Sequence, residues 1–147
     1  MKRILFALAL SLSAAGCNDS TLPAPQPTLF FAAAPQQGQP PATPEINVTV
    51  VREGFQVIGV LATPDACRKL TGEFTPYAPA DQVRLVLVVR VEPAAGVGCS
   101  TAVGRFVYNA RVQPLAAGRY PVQVFHQLAQ TGNPDPVMVY EGEIEIP

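Results

Sequence analysis

Gln82-Val83-Arg84-Leu85-Val86-Leu87-Val88-Val89-Arg90-Val91-Glu92 is the stretch that decides the fold class of this chain. Val83, Leu85, Leu87, Val89 and Val91 form a wholly apolar phase, while Gln82, Arg84, Arg90 and Glu92 stand on the other. A period of two puts successive side chains on opposite faces of a β-strand. Arg84 and Arg90 also interrupt the run well short of the ~20 apolar residues that a membrane span requires. The alternation recurs on both sides. Upstream, Ile46, Val48 and Val50 alternate with Asn47 and Thr49, and Glu53-Gly54 marks a tight turn into a segment where Phe55, Val57 and Leu61 share a face. Leu70, Gly72 and Phe74 then alternate with Lys69, Thr71 and Glu73. Downstream, Phe106, Tyr108, Ala110 and Val112 oppose Arg105, Asn109 and Arg111, and Tyr120, Val122, Val124 and Leu128 oppose Gln123 and Gln127. Met138, Tyr140, Ile144 and Ile146 oppose Glu141, Glu143 and Glu145. Seven short alternating runs with turn residues between them, and no helical period, predict an all-β, seven-stranded antiparallel sandwich.

One local motif narrows that expectation. Leu115-Ala116-Ala117-Gly118-Arg119-Tyr120, followed by Val122 and Val124, resembles the L-x-x-G-x-Y corner of immunoglobulin-like and fibronectin type III sandwiches. The resemblance implies that Tyr120 bonds back across the corner, that Gly118 supplies a turn conformation and that Leu115 plugs the space beneath. It says nothing about activity, because function is carried by sites and not by folds. The stretch from Cys99 through this corner to the C-terminus also resembles uncharacterised bacterial lipoproteins with one such domain.

Upstream of Glu45 the composition changes. Residues 18–44 hold seven prolines (Pro23, Pro25, Pro27, Pro35, Pro40, Pro41 and Pro44) and a single charge, Asp19. Proline removes backbone donors and favours extended polyproline geometry, so the segment is expected to be a spacer. Leu29-Phe30-Phe31 is an apolar cluster within it, with three possible destinations: its own domain, the bilayer or a partner. Further upstream, basic Lys2 and Arg3, the apolar run Ile4–Leu12 and Ser13-Ala14-Ala15-Gly16 have the parts of a secretory signal peptide. Small residues ending at Cys17 resemble the lipobox of bacterial lipoproteins, with Ala14 where that family favours a larger aliphatic residue. The resemblance implies cleavage before Cys17, a diacylglycerol on its sulfur and an acylated N-terminus. Ordinary cleavage after Ala15 or Gly16, leaving a free Cys17, is the alternative. The expected organisation is a signal peptide over 1–16, a lipidated N-terminus and proline-rich linker over 17–44, and the immunoglobulin-like domain over 45–147. Asn18, after the cysteine, is not the aspartate that in this family often signals inner-membrane retention, so the implied location is the outer membrane, facing the periplasm. Lipidation of Cys17 leaves Cys67 and Cys99 as a pair in an oxidising compartment. A disulfide between them would contribute about 3–4 kcal/mol on the chain-entropy model, and two buried thiols are the alternative.

Charge and chemistry exclude more than they assign. Without Lys2 and Arg3, 8 of the 10 basic residues remain against 11 acidic ones, a formal charge of −3, which argues against a nucleic-acid partner. His126 is the only histidine, and strand phase places it with Val122, Val124 and Leu128 at the rim of the core. A hydrolase would need Ser100 as nucleophile, His126 as base and an acid such as Asp135, yet no G-x-S-x-G elbow surrounds Ser100. No histidine pair or Asp-x-Asp run suggests a metal, and Glu141, Glu143 and Glu145 suit a solvated edge that resists aggregation. No catalytic residue, cofactor or metal site is therefore expected. The proline-stiffened stretch with Thr131, Gly132, Asn133 and Asp135 is the leading candidate for a binding loop, with Tyr77 a lesser one. The expected function is a lipid-anchored envelope protein with a non-catalytic binding or scaffolding module and a protein partner. The alternatives are a protease-inhibitor-like module and a carrier of a small ligand or metal.

Overall fold

The computed structural model describes residues 26–78, 82–93, 102–129 and 135–147. Eight strands account for most of them: β1 (Thr28–Gln36), β2 (Glu45–Val51), β3 (Gly54–Thr63), β4 (Arg68–Tyr77), β5 (Arg84–Pro93), β6 (Gly104–Gln113), β7 (Gly118–Leu128) and β8 (Val137–Ile146). The alternating phases become faces. Leu85, Leu87, Val89 and Val91 of β5 are fully buried, as are Tyr108, Ala110 and Val112 of β6 and Val122 and Val124 of β7. The strands form two four-stranded sheets, β1-β6-β3-β2 and β4-β5-β7-β8, and inward side chains from both meet in one apolar cluster. Phe55 of β3 lies 6.3 Å from Phe74 of β4, ring centre to ring centre, tying one sheet to the other.

The seven-stranded, wholly antiparallel expectation is corrected on two points. First, the described residues form eight strands, because Thr28–Gln36 lies inside the proline-rich segment yet pairs antiparallel with β6 along its whole length. Its outermost position explains how it tolerates Pro35, since an edge strand needs only half of its backbone donors. Its inward residues, Leu29 and Phe31, pack against the core, and Phe31 stacks on Tyr108 at 5.8 Å with 20° between the ring planes. Gly72 of β4 makes room for that ring: a Cβ there would collide with the Phe31 side chain. Second, β5 and β7 are parallel, from Leu85 opposite Val122 to Val91 opposite Leu128. The chain leaves β5, crosses to the first sheet as β6 and returns, so β7 re-enters the second sheet in the direction of β5. Pro121 precedes the first β7 residue paired with β5, so its missing N–H does not interrupt that ladder.

A bulge changes the phase of the last strand. Val124 faces Tyr140 and Phe125 faces Met138, which leaves Val139 as the extra residue. Met138, expected on the inner face with Tyr140, is instead 48 % exposed, while Val139 packs against the core. The Tyr120 hydroxyl donates to the Ala116 carbonyl at 3.0 Å, Gly118 has φ +154°, and Leu115 packs against the core while its N–H donates to the Glu53 carbonyl at 2.8 Å.

Candidate functional site

Three inward residues of β7 set up the site. Val122 and Val124 are core, and the next residue of that phase, His126, lies at the sheet's end and is 9 % exposed. Its Nε2 is 3.0 Å from the hydroxyl of Tyr108, which reaches across from β6 in the other sheet. The rings meet edge to face, 5.6 Å apart at 78°. In the Nδ1–H tautomer the phenol donates to Nε2; in the other tautomer it accepts. Desolvation works against charge on either ring. Burial lowers the His126 pKa to about 4 and raises that of Tyr108 above its ordinary value. At neutral pH the pair is an uncharged, satisfied bridge between sheets.

His126 also borders a cleft of about 260 Å³. Its apolar wall comes from four strands: Leu61 of β3, Val91 of β5, Leu128 of β7, and Val137 and Val139 of β8. The bulge is what turns Val137 and Val139 toward this cleft and Met138 away from it. Val137 is 65 % exposed and Leu128 is also open to solvent, so the apolar surface continues onto the rim. Besides His126, Asp135 is the polar lining group. Apolar walls with a few convergent polar groups are the usual make-up of a binding site, although this one is smaller than the ~300–1,000 Å³ that drug-sized ligands occupy.

The other residues singled out from sequence are dispersed. Asp135 reaches the cleft, whereas Thr131, Gly132 and Asn133 lie outside the described residues. Tyr77 ends β4 opposite Arg84, at the far end of the second sheet from His126, so it shares no surface with Asp135. Cys17, Cys99 and Ser100 are outside the described residues. Cys67 is half-buried and a free thiol, and no disulfide is present among the described residues. It lies in the β3–β4 turn, where Asp65 accepts its N–H at 3.0 Å and pairs with Arg68 at 2.8 Å. Among the described residues no three His, Cys, Asp or Glu side chains are placed to hold a metal ion. Nor is any helix among them long and apolar enough to cross a membrane.

Sequence reasoning missed two features. One is Tyr108 as the partner of His126; both lie on inward phases, but nothing local shows that they meet. The other is a more open hollow of about 510 Å³ on the outer face of the first sheet, lined by Thr28, Phe30, Arg52, Glu53 and Arg111 among others. It depends on β1 being a strand. Comparison with known proteins returns no match: no family model, no curated protein and no solved structure aligns significantly with this chain.

Proposed function

We propose that this chain is an exported, lipid-anchored envelope protein whose β-sandwich, with its immunoglobulin-like tyrosine corner, is a non-catalytic binding module. The observation that carries the binding role is the apolar cleft bounded by Leu128, Val137 and His126, open at its rim and adjoining the start of the proline-flanked loop. A cleft of side-chain size suits one or two apolar side chains of a protein partner better than a drug-sized molecule. Export and anchoring rest on Lys2, Arg3, the apolar run Ile4–Leu12 and Cys17. His126 supports binding rather than proton transfer: its Nε2 is engaged by Tyr108, and burial holds the ring neutral.

A photo-crosslinking residue at Val137 in the membrane-purified protein tests the reading. The expected result is one dominant protein adduct, absent with the crosslinker at Ile58 and lost in Leu128→Asp. Equal labelling from Val137 and Ile58 overturns it. A small apolar ligand in the same cleft is the second reading, favoured by its apolar walls, Leu61, Val91 and Val139. Native mass spectrometry decides between them, since a retained ligand adds mass that Leu128→Asp removes. The mass of the N-terminal peptide tests the anchor on its own: a diacylglyceryl, acylated Cys17 is expected, and an unmodified Met1 start overturns it.

A further inference from the structure

We propose that the Phe30 face of the first sheet docks on an anionic lipid surface, the one to which Cys17 is tied. This rests on the anchor proposed above and concerns a different surface from the cleft. Strand β1 divides the Leu29-Phe30-Phe31 cluster between two environments: Leu29 and Phe31 go to the core, and Phe30 points outward, 55 % exposed. Arg111 stands directly opposite Phe30 on β6, and Arg52, in the β2–β3 turn, lines the same hollow. Both arginines are exposed, and among the described residues neither makes an ion pair, whereas Arg68, Arg90 and Arg119 each hold a carboxylate. Glu53 lines the hollow as well, one acid against two cations. An exposed phenyl flanked by unpaired guanidinium groups matches a lipid interface, where aromatic rings sit at headgroup depth and cations meet phosphate.

The tether supplies the second argument. Thr28 begins β1 and lines the hollow, and it follows Cys17 by only eleven positions. Fully extended, that stretch spans at most about 40 Å. A lipid on Cys17 therefore keeps this end of the sheet beside the bilayer, where even weak docking is effectively intramolecular. The charge distribution sets the orientation. The other sheet carries both signs, Lys69 and Arg84 among its cations, but its β8 edge holds Glu141, Glu143 and Glu145. Among the described residues only Glu145 of these is ion-paired, to Arg119, so an anionic surface repels that edge and attracts the Arg52–Arg111 side. The cleft lies toward the opposite end of the strands, near Leu61 rather than Phe55. Docking through Phe30 leaves it facing away from the membrane.

The chain contains no tryptophan, so Phe30→Trp reports on this face alone. The test uses the membrane-purified full chain in vesicles of phosphatidylethanolamine and phosphatidylglycerol, with Met138→Trp as the control on the other sheet. Expected are a blue-shifted indole emission from Phe30→Trp that brominated lipid quenches, an unchanged Met138→Trp spectrum, and reversal by salt. Replacing Arg52 or Arg111 with Gln lowers the docked-to-free ratio about fivefold each. If the N-terminal mass shows the lipid and Phe30→Trp still emits as in water, docking is overturned while the anchor stands. An equal shift in Met138→Trp, or one insensitive to both arginines, also overturns it. So does a shift that appears only when an envelope protein is added, which would assign the face to a protein partner.

Discussion

The β5–β7 pair and strand β1 are two ways of being a strand in one protein. Strand β5 carries an uninterrupted inward apolar phase and β7 one broken only at its end by His126; both occupy the middle of their sheet and bury Leu85, Leu87, Val89, Val122 and Val124 completely. Strand β1 is proline-flanked, alanine-rich and outermost, with only two inward apolar residues of any size, Leu29 and Phe31. The first pair is specified by its own pattern. The second is recruited: β6 supplies the hydrogen bonds, and Tyr108 and Gly72 supply the seat for Phe31. Local propensity is a weak prior for a strand, because much of its stabilisation comes from cross-strand neighbours and burial.

The sharpest way to break this contrast is to empty each region. Leu87→Ala, in the fully buried centre, is expected to cost about 4 kcal/mol in urea denaturation, the cavity term adding to lost transfer energy. A loss below about 1 kcal/mol would show that the centre is not the better packed region. Acid attacks the same sheet through His126 of β7. Its folded pKa, about 4, is below the unfolded value near 6.5, so the unfolded state binds the proton first. Stability is therefore at its plateau above pH ~6.5 and falls by about 3 kcal/mol as the pH drops through ~4. His126→Phe should remove that part of the slope; an unchanged pH profile would mean that the imidazole is solvated in the folded state. Phe31→Ala should cost about 2 kcal/mol, less than the roughly 3–5 of a fully buried phenylalanine because one edge of the ring stays open. It should also speed amide exchange selectively in β1, whereas uniform exchange throughout the domain would make β1 as integral as β5. Tyr120→Phe removes the bond to the Ala116 carbonyl and should cost about 1 kcal/mol, read from the same denaturation curves. The smallest effect is expected at Phe30→Ser. An outward side chain away from the core should change stability by less than about 0.5 kcal/mol, and a larger loss would place Phe30 in the fold rather than at a surface.

Most inward residues were legible because the signal is local. The phases of Phe55, Val57, Leu85, Leu87 and Tyr108 follow from neighbours two positions away, and the Tyr120 corner follows from a six-residue motif. Met138 was misplaced because a bulge inserts Val139 into the register, and a bulge is a property of two paired strands. The Thr28–Gln36 strand was hidden by its prolines, whose cost depends on whether the missing donors face a neighbour or solvent. The candidate site was half legible. Strand phase placed His126 at the rim and the loop reading reached Asp135, but Leu61, Val91 and Val137 converge on them from three other strands.

The sequence by itself determined which side of most strands is buried, because successive side chains of an extended backbone point in opposite directions wherever the strand ends up. Only the tertiary structure decided which strands are neighbours: the parallel pairing of β5 with β7, the recruitment of β1, and the meeting of Tyr108 with His126. Those outcomes depend on contacts between residues far apart in the chain, which no window of sequence contains.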